Sequence, residues 1–283
     1  MLFPKILSCT RELRSNNLMF FRLPAVLFLF LFLLSCTKQK PIQVEALEIN
    51  DLNMQQTNQL STTLQNAKLP DYLTKNISEK ASFIPDLIEV LKIDPYLFLL
   101  VDKETSLSKN YEPDDLVELI NKSYRVNRAG MQLRMAAEAS LEKMAAAAKK
   151  EGLTLLASSA YRSYDYQAQV YQSNVREMGQ TAADRESARP GHSQHQLGLV
   201  VDFGSITDAF AATKEGRWLS ANASHFGWSL SYPEDYEEIT GYRWESWHYR
   251  YVGIELAEFI DKYFDGIQQY ALKFIHEWAK QMH

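Results

Sequence analysis

The sequence predicts an α+β fold, a small and mostly antiparallel sheet with helices packed on it. Three observations predict it. Short runs of β-branched and aromatic residues recur at 153–157, 199–203, 228–232 and 247–252. Helical pieces of unequal length separate these runs, without the even alternation of a parallel α/β sheet. The 283 residues are 46% apolar and 23% charged, a globular balance large enough for one large domain or two small ones. That balance excludes a wholly disordered chain, a collagen-like polymer and a polytopic membrane protein. Lys and Arg number 30 against 35 Asp and Glu, for a formal net charge of -5. With no basic run either, no nucleic-acid partner is expected. The two cysteines both lie in the first forty residues, so no disulfide framework is expected.

Residues 25–34 form an unbroken apolar run, AVLFLFLFLL, followed by Ser35 and Cys36. The run is shorter than the roughly 20 residues that cross a bilayer. With Arg22 before it, it reads as the apolar core of a secretory signal, over residues 1–35, with Met19 as an alternative start. Leu33-Leu34-Ser35-Cys36 resembles a bacterial lipobox, in which the cysteine takes the lipid and becomes the mature N-terminus. Cys36 is therefore expected to anchor the protein to an envelope membrane, outside the cytoplasm. Residues 36–85 are polar, with weak apolar periodicity at Ile49, Leu52, Leu60 and Leu64, and read as a tether carrying at most one marginal helix. The compact domain is expected over 86–283, and a monomer is expected.

Within that domain, residues 131–150 predict a helix. Met135, Ala139, Met144 and Ala148 recur at four-to-five spacing, alanines are dense, and Gly152 stops it. Residues 153–157 then read as a buried strand, 164–176 as a helix, and 181–186 as the start of another. Residues 199–203 predict a strand and 214–226 a helix ended by Gly227. The runs 228–232 and 247–252 read as strands, and 254–278 as a closing amphipathic helix interrupted near Asp265-Gly266.

Two segments concentrate histidines, glycines and carboxylates. One runs from Pro190 to Asp202 and holds His192 and His195; the other runs from Trp244 to Gly253 and holds Glu245 and His248. Zinc in a hydrolytic site takes three nitrogen or oxygen ligands, with a further carboxylate to accept a proton from water. His195, Asp202 and His248 could be the ligands and Glu245 the base. Glu245 and His248 are three apart and would point to opposite faces of a regular strand, so Glu245 must lie in a bend before it. On spacing alone the alternative stands: two separate hydrogen-bonded histidines, and an aspartate that caps a turn.

The pattern Ser-x-His-x-x-Gly-x-x-x-Asp over 193–202, followed by Glu-x-Trp-His-x-Arg-Tyr-Val-Gly over 245–253, resembles the zinc D,D-/L,D-carboxypeptidases. These include the vancomycin-resistance D-Ala-D-Ala peptidases. Ser159-Ala160-Tyr161-Arg162-Ser163 with Gln167, the stretch from Trp218 to Pro233, and Ile239-Thr240-Gly241-Tyr242 match further family segments, and 99–116 resembles its leading strand. Ala160, Val200, Ser231 and Ser246 depart from the family pattern; Ser231 replaces a usual arginine near the cleft. The resemblance implies a D,D-peptidase/Hedgehog-like fold with one zinc per chain at the sheet face, held by His195, Asp202 and His248. It implies Glu245 as the base and Arg162 as a positive group near the scissile carbonyl or the substrate's terminal carboxylate. Ser193 and Gln167 would contact substrate. The implied activity is removal of the C-terminal D-alanine from peptidoglycan stem peptides. Two alternatives remain: a non-catalytic zinc module that binds the cell wall, and a dipeptidase acting on free D-Ala-D-Ala. His192 and Arg250 read as structural neighbours of the site.

Overall fold

A computed structural model describes residues 55–281 of the protein. Its central sheet has the strand order β2-β4-β5-β7-β6, from Arg125–Val126 (β2), Leu156–Ser159 (β4), Val200–Phe203 (β5), Trp228–Leu230 (β6) and His248–Tyr251 (β7). The β2–β4 pair is parallel and the other neighbours are antiparallel. A second ladder pairs Leu116–Glu118 (β1) with Gln132–Arg134 (β3).

The two faces of the sheet differ. Val201, Phe203, Tyr249 and Tyr251 point into one core, where the alanine-rich helix Met135–Lys150 (α4) buries Ala137, Leu141, Met144, Ala145 and Ala148. On the opposite face, Val200, Asp202, His248 and Arg250 follow from the period-two alternation. Because β5 and β7 pair with Asp202 directly opposite His248, these two polar side chains share that face. A bulge between Ala157 and Ser159 shifts the β4 register so that Ser159 also comes opposite Asp202.

Tyr164–Met178 (α5), Gln180–Glu186 (α6), Lys214–Asn222 (α7) and Glu237–Thr240 (α8) flank the sheet. The chain closes with Ile254–Tyr263 (α9) and Gln268–Lys280 (α10). The expected break falls between those two, where Asp265 and Gly266 both take positive φ (51° and 75°) and so cannot continue a helix. The helix expected from residue 131 starts only at 135, because residues 132–134 pair with β1 instead. The leading strand expected over 99–116 is also absent. A 3-10 turn at Pro95–Phe98 precedes a tight turn in which Asp102 Oδ1 accepts the N–H groups of Glu104 and Thr105, and only residues 116–118 become strand.

The expected domain boundary at residue 86 moves toward the N-terminus. From residue 55 onward, the segment read as tether is helical at 55–66 (α1), Asp71–Glu79 (α2) and Phe83–Val90 (α3). Leu73 and Ile77, and Phe83, Leu87 and Val90, line up at helical spacing and enter a second core with α9 and α10. Phe83 meets the rings of Phe259, Tyr263, Phe264 and Phe274, edge-on to Tyr263 and Phe274. The two ends of the described chain also meet: Gln281 Nε2 donates to Thr63 Oγ1 at 2.6 Å and Gln59 Nε2 to Trp278 O at 3.4 Å. In α2 only Leu73 and Ile77 of nine residues are buried, which is why that stretch reads as polar.

The signal sequence and Cys36 lie outside the described residues. Among the described residues, no helix is long and apolar enough to cross a membrane. Because Phe83 is a core residue and not part of a tether, Phe83→Ala should cost about 3–5 kcal/mol. Urea unfolding followed by circular dichroism should show the lowered midpoint; an unchanged midpoint would return this segment to a tether.

Candidate metal and catalytic site

The polar face of the sheet floors a cleft of about 440 Å³. His195 reaches it from the 3-10 turn Gln194–Leu197. Ser193 caps that turn, its Oγ accepting the His195 N–H at 3.3 Å. Gly198 ends it in the left-handed region (φ 69°), where an added side chain would run into Leu116 and Pro113. That reversal feeds the chain into β5 and brings Asp202 beside His195. His248 arrives from β7.

His195 Nδ1 lies 2.8 Å from Ala160 O. A carbonyl can only accept, so Nδ1 carries the proton and Nε2 presents a lone pair. Nε2 sits 3.2 Å from Asp202 Oδ2, and His248 Nδ1 sits 3.2 Å from Asp202 Oδ1. The imidazoles stand edge to face with centroids 5.0 Å apart. All three side chains are buried, yet His195 Nε2, Asp202 Oδ1 and His248 Nε2 have no hydrogen-bond partner. Buried polar atoms without partners are rare because each costs desolvation free energy. Ligand atoms from these three residues lie within 4.8 Å of one another. Two imidazoles and a carboxylate so placed suit one divalent ion of the zinc type, and the orphaned atoms are what such an ion would satisfy.

Glu245 is in the bend, as the three-residue spacing requires. Its N–H donates to Tyr232 O at 2.9 Å, and its carbonyl accepts the His248 N–H at 3.1 Å. Its Oε2 lies 3.2 Å from His248 Nδ1, outside the convergent set. Burial pushes the Glu245 carboxyl up from its ordinary range, against the pull of His248. Burial also drives His195 down to about 4, so the ring is neutral. The adjacent His195 and His248 hold Asp202 well below the carboxylate range despite burial. For His248, Asp202 and Glu245 outweigh burial and raise it to about 9. A cluster that favours a cation on His248 favours a metal cation among the same groups.

Arg162 follows β4. Its Nη1 donates to Gln167 Oε1 at 2.9 Å and its Nη2 to Asp202 Oδ2 at 3.2 Å. That places the guanidinium at the cluster itself. Gln167, expected to contact substrate, has both ends of its amide engaged, since its Nε2 donates to Ala188 O at 2.7 Å. It lines the cleft but serves to hold Arg162. Ser193 lines the cleft as well. Ser231 does not: it is buried behind the cluster, donating to Gln194 Oε1 at 2.8 Å. His192 hydrogen-bonds Asp102 O, and Arg250 is fully buried, donating to Leu97 O and Leu99 O. Sequence reasoning missed Tyr232 and Tyr242. The Tyr232 ring lies 4.6 Å from His248 and 4.9 Å from Tyr242, and both tyrosines wall the cleft. Their only signal was aromatic character, which reads equally as core.

Comparison with known proteins agrees with this geometry. Residues 130–254 match the VanY family, described as D-alanyl-D-alanine carboxypeptidase. A relative in Bacillus subtilis, "Putative carboxypeptidase YodJ", is 36% identical over 65% of this chain and 72% of its own length. The LdcB LD-carboxypeptidase structure aligns with a TM-score of 0.57 at 34% identity, covering 64% of this chain and 86% of that one. A vancomycin-resistance D,D-pentapeptidase VanY in complex with Zn(II) aligns with a TM-score of 0.52 at 32% identity, covering 62% of this chain and 98% of that one.

The convergent donors predict binding of one divalent ion per chain. Competition titration with Zn²⁺ should show His195→Ala and His248→Ala each weakening it by more than about 100-fold, beyond the roughly 10–100-fold that losing an outer hydrogen-bond partner costs. Parental affinity in either variant would point to a different ligand set.

Proposed function

Because the chain belongs to the VanY family of D-alanyl-D-alanine carboxypeptidases, we propose that it is a zinc enzyme that removes the C-terminal D-alanine from peptidoglycan stem peptides. One observation carries this reading: a buried carboxylate, Glu245, stands beside a complete three-residue donor set without belonging to it. A module that merely binds wall peptide has no use for such a free base.

In this reading His195, Asp202 and His248 hold the zinc. The ion, when bound, supplies Lewis acidity that makes a water molecule acidic at neutral pH. Glu245 takes the proton of the attacking water and passes it to the leaving amine. Its upward shift, caused by burial, makes it a stronger proton acceptor than an exposed carboxylate. Arg162, held by Gln167 and Asp202, offsets the negative charge that develops on the scissile carbonyl oxygen. In the same reading Ser193, which heads the His195 turn and lines the cleft, donates to the substrate's terminal carboxylate.

Glu245→Gln should retain zinc yet lose about 100- to 10,000-fold in rate. The assay is mass spectrometry of tetra- and pentapeptide stems after incubation, which also reports which of the two linkages is cut. A variant keeping more than about a tenth of the parental rate would move the base elsewhere. No cleavage of either stem by the parent would leave the binding module.

The same proposal places the enzyme on the outer side of an envelope membrane through lipidated Cys36, on sequence grounds. Cys36→Ser should move the protein from the membrane to the soluble fraction. Unchanged partitioning would remove the anchor from the proposal.

A further inference from the structure

Among the described residues, the cleft contains one arginine, Arg128, with no carboxylate partner. Arg162 is paired with Asp202, and on the acidic side Glu186 is paired with Arg243 at 3.5 Å. Arg128 also lines the cleft, but among the described residues it has no carboxylate within ion-pair distance. Its described contact is the ring of Tyr166, with the guanidinium carbon 6.0 Å from the centroid. Tyr166 is itself 41% exposed, and another cleft residue, Ile206, is 52% exposed. An unpaired guanidinium resting on an open ring, with an uncovered aliphatic side chain in the same cleft, describes a surface shaped for a ligand that carries an acid on an apolar stem.

The position of Arg128 in the sheet says which acid. The β2 ladder extends by one residue, Asn127 N–H to Ala157 O at 2.9 Å, and Arg128 follows immediately. β2 lies two strands from β5, the strand of Asp202. At about 4.8 Å per strand, the backbone at Arg128 is roughly 10 Å from that of the metal-binding strand. An extended peptide needs about three residues to cover that distance. A carboxypeptidase has only one residue beyond the scissile bond, so the terminal carboxylate stays near the cluster, with Arg162 and Ser193. The separation favours, for a group at Arg128, the part of the substrate that precedes the bond.

We infer that Arg128, laid over Tyr166, is a specificity-determining residue that binds a second substrate carboxylate, carried two or three residues before the scissile bond. This rests on the stem-peptide reading above and adds to it. The carboxylate has two chemical sources: the side chain of the third stem residue, or the α-carboxylate of a second residue linked through its own side chain. In either case a guanidinium offers two parallel N–H donors that match the two oxygens, which a neutral amide cannot accept in the same way.

The test is a set of four zinc-enzyme substrates: a parent stem peptide bearing all three acids, and three analogues with an amide in place of the acid at the second position, the third position or the C-terminus. With the parent enzyme, amidation at the second or third position should lower kcat/KM by about tenfold, chiefly through KM. In Arg128→Gln that acid-to-amide ratio should fall toward one, and Arg128→Lys should keep part of it. The position whose ratio responds identifies the source. An unchanged ratio at both positions in Arg128→Gln overturns the inference while leaving the enzyme assignment intact. A response confined to the C-terminal amide also overturns it and makes Arg128 the reader of the terminal carboxylate. Should the parent cut none of the peptides, the stem-peptide reading fails instead. Calorimetry of the same peptides on Glu245→Gln and on Glu245→Gln/Arg128→Gln then decides the matter: an acid preference that disappears with Arg128 supports the subsite, and no preference in either removes it.

Discussion

The site hangs on one register: Asp202 opposite His248 across β5 and β7. Side chains alternate along a strand, so a slip of one residue would send one of the pair into the apolar core and the other into the cleft. The apolar face prevents that slip. Val201, Phe203, Tyr249 and Tyr251 pack among α4 and its neighbours, and the same shift would turn the slipped strand's apolar pair out of that core. The polar cluster is thus held in place by the hydrophobic side of the strands that carry it.

The remaining groups reach Asp202 through departures from regular structure. His195 comes from a turn closed by a left-handed glycine, Glu245 from the bend before β7, and Arg162 from the end of a strand bulged at Ser159. A regular strand presents a residue to one face only every second position, so three convergent groups from neighbouring segments require such irregularities. The protein also spends buried hydrogen bonds on orientation: Ala160 O fixes the His195 tautomer, and Gln167 fixes Arg162. Directly behind the cluster, Ser231, Gln194 and Gln268 form a neutral buried network. With Arg250 already fully buried nearby and lowered to about 10 by that burial, a second cation there would lack an anion to offset it.

Much of this was legible in the residues. Strands of the site announced themselves through β-branched and aromatic runs, the long helices through periodicity and their glycine stops. The spacing of Glu245 and His248 alone required the bend. What escaped detection had a weak or ambiguous local signal. The first three helices bury one or two residues per turn under a polar surface, and their stability comes from α9 and α10, far away in sequence. Strand β3 took residues that belong by composition to a helix, because a partner strand was available. Tyr232 and Tyr242 differ from core tyrosines only in what they face, and the role of Gln167 depended on an acceptor at Ala188 that no spacing rule relates to it.

The joining of the two ends of the described chain has a consequence for biosynthesis. Leu73, Ile77 and Phe83 are synthesised well before the surfaces that cover them, which lie on α9 and α10. Until residues 254–280 have left the ribosome, the early helices have no partner to bury against, and isolated helices of eight or nine residues are marginal in water. These early helices therefore stay unburied during synthesis until α9 and α10 follow them out.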